Sequence, residues 1–556
     1  MNAALHQPPP PSPGPADPAA GPPFPVTRRQ LSFYLLACAT YLYFILFIPP
    51  WTPIWTGNID GNVFLNEGRR MLTGELPYRD FFEFVTPGTD VFFWACFKLL
   101  GVHLWIANLA MLLLGTGFAW LSVVIGRRLL PAPLVFLPGP LLLLFGFGTL
   151  PDPTHHWFSG LAVTAALAVI VGKRDAGRFA ITGALCALAA TFTQTLGCFA
   201  FCAFALFLFW EGRRGKKTWR ILCVEQACLL LGFVVTLVAA NFYFVWKAGL
   251  YRVVECTLIY LAKYAPADRT YNSWRVLFLR IMGPSLVPNL KKVSAWLATQ
   301  CVVPAVYLCC FVRQALASRR GAQKIPDIPL FIAFIGFCLY LSFVPAPTRH
   351  RIFPVALPAM ILLCWLVRSN GKLDRALRGM VWVGALALAV GFIAYRQTCP
   401  RYILKAVTGP VAFTDPAEFQ EYEWVRGHTQ PSQYFFHWHR AWFNFLFDLR
   451  DPAEIFCLSN TDFTRPEQVA GLIRGLDQHH VQFVVWSTGL DVHLPWNDPA
   501  GDHLDLLRAY LHAKYHLIKT FSTGDDLWER NGFPDAHGSE HSQRNLTGVD
   551  PLRLAD

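Results

Sequence analysis

Apolar runs recur along this chain at about 31–50, 104–126, 132–149, 157–172, 178–194, 196–210, 222–246, 295–313, 328–345, 353–367 and 379–395. Most are roughly 15–25 residues long, the length a helix needs to cross a bilayer core. The pattern predicts a polytopic α-helical membrane protein with about eleven transmembrane helices. One further apolar stretch, "GTDVFFWACFKLLGVH" at 88–103, carries Asp90, Lys98 and His103 and makes a poor span.

Basic clusters between the runs give the expected orientation. Arg28 and Arg29 place the N-terminus in the cytoplasm. Inside loops are expected at Arg127 and Arg128, at Lys173, Arg174 and Arg178, at Arg213 to Lys217, at Arg313, Arg319 and Arg320, and from Arg368 to Arg378. These agree with one another only if 88–103 lies on the membrane surface and does not cross. "TFTQTLG" at 191–197 must then be a tight outer turn. The outer face collects 51–103, "LPDPTHH" at 150–156, a loop at about 247–294, "PAPTRHR" at 345–351 and the tail from 396.

The first outer loop is unusual. Between Asn58 and Phe84 it carries Asp60, Glu67, Arg69, Arg70, Glu75, Arg79, Asp80 and Glu83. Asp60 opens a helical pattern in which Phe64, Leu65, Met71 and Leu72 share one face, and Gly74 can end it. Glu67 and Arg70 fall on the opposite face. The expectation is a helix lying flat on the membrane with those two in water. The tail, 396–556, alternates strand-like "SQYFFHW" and "VQFVVWS" with helical "PEQVAGLIRGLDQHH". It predicts a small outer-face α/β domain with no catalytic constellation, dispensable for the chemical step.

Composition narrows the class. Of 556 residues, 54% are hydrophobic and only 15% charged, with a mean hydropathy of +0.35. A soluble domain carries about 25% charge. The net charge of +12 fits basic inner loops, and no basic stripe interleaved with aromatics suggests nucleic acid. Most of the 15 cysteines lie inside apolar runs, and no CxxC pair occurs. Residues 1–30 form a cytoplasmic N-terminus, low in complexity over the first 26 ("PPPPSPGP" at 8–15) and without signal-peptide features. No ionisable residue sits deep in a run, and no repeat of halves is visible, which disfavours an ion-coupled carrier. Asn545 begins a glycosylation sequon, which means little if the source is bacterial.

Asp60-Gly61, then Gly74, Pro77-Tyr78-Arg79-Asp80-Phe81 and Pro87-Gly88 before an apolar stretch, resemble the first outer loop of the GT-C membrane glycosyltransferases. The closer likeness is to the Rgt-like branch, related to protein O-mannosyltransferases and the lipid A aminoarabinose transferase, and it covers 31–395. The resemblance implies a hexosyl or pentosyl transferase of a bacterial inner membrane. It also implies a polyprenyl-phosphate-linked sugar as donor, a lipid, glycan or protein acceptor, and Asp60 as general base. Gly61 stands where many relatives carry a second acidic residue or an aromatic, which leaves the donor sugar open.

The residues support that chemistry on their own terms. A sugar hydroxyl is a weak nucleophile, and a placed carboxylate can take its proton. A phosphate leaving group needs cations. Asp60 is the candidate base, or else only a helix N-cap. Asp152 is a second candidate acid, or turn chemistry between two prolines. Arg349, His350 and Arg351 lie against the positive-inside trend and suit a carrier phosphate or a lipid headgroup. His155 and His156 suit phosphate or acceptor, or are polar anchors. Lys263 and Tyr264 fall where relatives place substrate contacts. Asp80 pairs with Arg79 or Arg70, to bind substrate or simply to hold the loop. His437 and His439 share a strand face without a third metal ligand in view. With arginines for the phosphate, no obligatory metal or other cofactor is expected. The competing reading is a carrier or flippase for polyprenyl-linked saccharides, which would use the arginines but need no base at Asp60; a third is a scaffold protein whose tail binds envelope polymers.

Overall fold

The computed structural model describes residues 24–48, 52–53, 59–267, 269, 273–276, 298–319, 327–344, 348–368, 372–439, 441–455, 457–493 and 498–532. The Pro-rich stretch at 8–15, most of the loop beyond residue 269, residues 345–347 and Asn545 lie outside them.

Helix α1 (Arg28–Leu46) starts at a capping box, in which the Thr27 hydroxyl accepts the Gln30 amide and the Gln30 side chain accepts the Thr27 amide. A two-residue ladder, β1 (Phe47–Ile48) with β2 (Thr52–Pro53), leads to α2 (Ile59–Leu72). Next come α3 (Gly88–Leu100) and α4 (Trp105–Gly126). Short α5 (Pro138–Leu142) lies within an apolar helical stretch, Leu134–Phe147. It is followed by α6 (His155–Ile170), α7 (Ala176–Phe192), α8 (Gln194–Arg214) and α9 (Trp219–Ala248). Among the described residues five helices are long and apolar enough to cross a membrane: α1, α4, α8, α9 and Arg375–Thr398. A sixth is the pair Arg349–Val355 and Leu357–Leu366, bent by 59°. Shorter apolar helices occupy the other expected runs. This is an integral membrane protein.

Several expected details appear. Helix α3 has 13 residues, about 20 Å at 1.5 Å each, too short to cross. The turn at 191–197 is a single extended residue, Thr193, between α7 and α8. In the tail, Phe436 pairs in parallel with Val484, joining the two expected strands, and Pro466–Gln478 is helical. There β5 (Phe436–His437), β6 (Phe483–Ser487), β8 (Asp525–Arg530) and β7 (Tyr515–Thr520) form one sheet in that order. Val469, Leu472 and Leu476 of the tail helix pack with Val484 and Trp486. An antiparallel pair, β3 (Tyr402–Ala406) and β4 (Gly409–Phe413), precedes it.

The expectation for α2 fails. Its supposed water face is buried: Glu67 is 2% and Arg70 8% exposed, while apolar Leu72 is the more open residue at 37%. Helix α2 is sandwiched between other parts of the protein. Gly68 lets it approach α3, where a Cβ would come within 2.8 Å of Phe93 Cβ. On another side it meets the tail through Asn66, Arg69 and Arg70. Periodicity distinguishes faces of a helix, but a polar face can meet polar protein as readily as water.

Candidate active site

The first turn of α2 and the start of α6 converge. Asp60 is not buried and lies in that first turn. Its neighbour Gly61 donates its backbone N–H to Asp152 Oδ2 at 3.2 Å. A Cβ at position 61 would overlap the Asp152 carboxyl, so the glycine that departs from the family pattern makes room for this acid. Asp152 is 1% exposed, in the loop just before α6. Burial, then the charge of Asp60, push its carboxyl up to about 8, against the Gly61 N–H that favours the anion. At neutral pH Asp152 keeps its proton.

The ligand atoms of Asp60, His155 and His156 lie within 4.8 Å of one another. His155 Nδ1 stands 2.7 Å from Thr193 Oγ1 and 3.2 Å from the Phe192 carbonyl. A carbonyl only accepts, so Nδ1 carries the hydrogen and Nε2 keeps a lone pair. The break between α7 and α8 thereby orients this ring, with Phe64 edge-on at 5.5 Å. The His155 and His156 rings lie 3.9 Å apart. Asp60 and the two imidazoles form a donor set able to hold a divalent cation. Arg351 is close enough to act electrostatically on both histidines, and His350 is close enough to feel Asp60. Arg349, at the start of the same short helix, is exposed.

Five expected residues thus come together with Asp60: Asp152, His155, His156, His350 and Arg351. Others do not. Arg79 Nε and Nη2 bind Asp80 Oδ2 at 2.8 and 2.6 Å, and the same oxygen accepts the Leu76 amide at 2.8 Å. Arg79 also reaches the Gly74 carbonyl at 2.9 Å. This pair closes the turn after α2. Lys263 lies over the Tyr264 ring, and that ring belongs to a separate aromatic group with Tyr260, Phe82 and the Arg465 guanidinium.

One feature escaped the sequence. Behind Asp60 three carboxyls, Glu67, Glu83 and Asp90, are buried at 2%, 1% and 0% exposure. Burial raises Glu67 and Asp90 well above the carboxylate range, and each feels Glu83. Glu83 rises to about 7, chiefly by burial, although it accepts the Val85 amide at 2.6 Å. The acids themselves stand in the sequence, but nothing in their spacing shows that they are buried together.

The "HWH" stretch also gains neighbours. Glu421, His437 and Asp525 are buried with ligand atoms within 4.8 Å. Here His437 Nδ1 accepts the His439 amide at 3.1 Å. In the neutral ring the proton then sits on Nε2, which faces Glu421 Oε1 at 3.6 Å and Asp525 Oδ2 at 3.7 Å. The three residues lie on β5, β8 and the helix Pro416–His428, which meet at this buried group.

No protein-family model matches the sequence, and no curated protein does. Solved structures do. The apo structure of ArnT from Cupriavidus metallidurans superimposes with a TM-score of 0.56 at 12% identity, covering 90% of this chain and 97% of that one. The archaeal oligosaccharyltransferase AglB from Archaeoglobus fulgidus, solved with an inhibitory peptide and a dolichol-phosphate, gives 0.51 at 12% identity, covering 91% and 75%. The chain has the GT-C fold. The GT-C likeness takes in the tail as well as the helices, since each alignment covers at least 90% of this chain.

Proposed function

We propose that the protein is a membrane glycosyltransferase that moves a sugar from a polyprenyl-phosphate-linked donor to an acceptor hydroxyl at the outer membrane face. The observation that carries this reading is the convergence at Asp60. One open carboxylate at a helix N-terminus meets a buried Asp152, two imidazoles, His350 and Arg351. A carrier has no use for a base so placed. AglB was solved with a dolichol-phosphate, a ligand of the class proposed here.

The acceptor oxygen attacks the anomeric carbon while Asp60 takes its proton. The bond to the phosphate oxygen breaks, and its electron pair leaves with the carrier phosphate, so the configuration inverts. Arg349, His350 and Arg351 face the phosphate charge. Asp152, holding its proton, adds no second negative charge beside Asp60. The N-terminus is cytoplasmic, the tail lies outside, and eleven helices cross a bacterial inner membrane.

No metal is obligatory in this scheme, because Arg351 already brings positive charge to the histidines and would repel a cation there. Activity should survive a strong chelator; complete loss restored by magnesium or manganese would instead assign Asp60, His155 and His156 to a cation. The primary test uses purified protein and radiolabelled polyprenyl-phosphate hexose. Asp60→Asn keeps size and capping ability, yet transfer should fall by about 100-fold or more with carrier binding retained. A near-wild-type rate removes Asp60 from the mechanism.

A further inference from the structure

The polar face of α2 is gripped by one short piece of the tail. Asn66, Arg69 and Arg70 stand at i, i+3 and i+4, so they point the same way. Asn66 Nδ2 donates to Asp451 Oδ2 at 2.9 Å, and Arg70 Nη1 donates to the same oxygen at 3.4 Å. Arg69 pairs with Asp448 and donates through Nη2 to the Leu449 carbonyl at 2.6 Å. The other Asp451 oxygen accepts Asn444 Nδ2 at 2.8 Å, which ties it back into the tail. Asp448 ends the helix Trp442–Phe447 in a left-handed conformation (φ 57°), and its carbonyl accepts the Ser432 amide at 2.7 Å. Three residues beyond Asp451, the Glu454 carbonyl accepts the Phe82 amide at 3.0 Å, and its carboxylate accepts Arg252 Nη2 at 2.9 Å. The shelf is therefore stiff, and both α2 and the segment after it, at Phe82, rest on it.

We propose that this shelf, with Asp451 at its centre, is a positioning device for Asp60, an inference that rests on the glycosyltransferase reading. Asp60 lies six residues, about 9 Å, from Asn66 along a rigid helix. Asp152 holds the N-terminal end of that helix through Gly61, and Asp451 holds its C-terminal half. With both fixed, α2 cannot rock, and the Asp60 carboxylate stays at the distance from His155 and His156 described above. With Asp451 lost, Arg70 retains Glu75, at 2.7 Å from Nε, and can follow it away from the tail. The tail then supplies no reacting group, yet fixes where one sits. A misplacement of about 1 Å at a reacting group can cost about 100-fold in rate.

The test uses the full-length protein with Asp451→Ala, and Asp448→Asn as a milder second variant should the first insert poorly. Two readouts are taken. Hydrogen exchange over residues 59–72 should accelerate in both variants. The transfer rate at saturating donor should fall at least 10-fold in Asp451→Ala, with donor affinity within twofold of the parent. On an Asp60→Asn background, the same change should cost nothing further in single-turnover rate. Unchanged exchange over α2, or an equal rate loss on both backgrounds, overturns the proposal, because the second is what general destabilisation produces. A fully active Asp60→Asn, by contrast, sinks the assignment of the base, while the exchange measurement still decides whether Asp451 holds α2.

Discussion

The backbone N–H of Gly61 donates to Asp152 Oδ2 at 3.2 Å, so one acid lies against the helix turn that presents another. This contact makes the smallest side chain in the loop one of its most constrained. Gly61→Ala places a methyl group where the Asp152 carboxyl sits. Transfer should fall about 10- to 100-fold, as for a group displaced by about 1 Å. Steady-state kinetics on labelled donor check it, and a parent-like rate would show that Asp152 can move away without consequence.

The same pair sets a pH dependence. Asp152 is neutral below about 8 and ionises above it, adding a second negative charge beside Asp60. The transfer rate should therefore decline as pH rises through about 8. Asp152→Asn, which cannot ionise, should flatten that limb. A limb that persists in Asp152→Asn assigns it to another group.

Stability should follow pH in a defined direction as well. Glu83 rises from an ordinary 4.5 to about 7 in the folded protein, so the native state binds its proton more tightly than the unfolded chain. Its contribution is fully present below 4.5 and is lost as pH rises through about 7. Glu67 and Asp90 shift in the same direction. Thermal unfolding in detergent should thus show a falling midpoint from pH 5 to 8, and Glu83→Gln should reduce the slope. A midpoint that climbs over this range contradicts the buried, protonated cluster.

Topology is testable by outside labelling of single cysteines on a cysteine-free background. A membrane-impermeant thiol reagent should reach positions 75 and 102 but not 127. Labelling at 127 would invert every later loop and move the tail to the cytoplasm.

The helical framework was legible because lipid imposes a simple rule: apolar side chains point out and charge collects at the ends. The runs that became α1, α4, α8 and α9, and the turn at Thr193, follow it directly. Asp60, Asp152, His155, His156 and the Arg349–Arg351 stretch were found as loop residues next to runs. Their convergence was not legible, because nothing in the spacing of residues 60, 152 and 350 says that their loops meet. The failures share a cause. Glu67 and Arg70 read as a solvated face, because polarity was equated with water. The partners that bury them, Asp448 and Asp451, lie 379 and 385 residues away from Arg69 and Asn66. Arg79 and Asp80 were ambiguous for the opposite reason: adjacent opposite charges can close a turn without any ligand.

That separation also has a consequence in time. Helix α2 is made early, but Asp448 and Asp451 are synthesised nearly 380 residues later. At about 5–20 residues per second, this is roughly 20–80 s of elongation. Throughout that interval Arg69 and Arg70 lack their distant acids, and the tail side of α2 is unbraced. The tail's hold on α2 is thus completed only after residue 451 has been made.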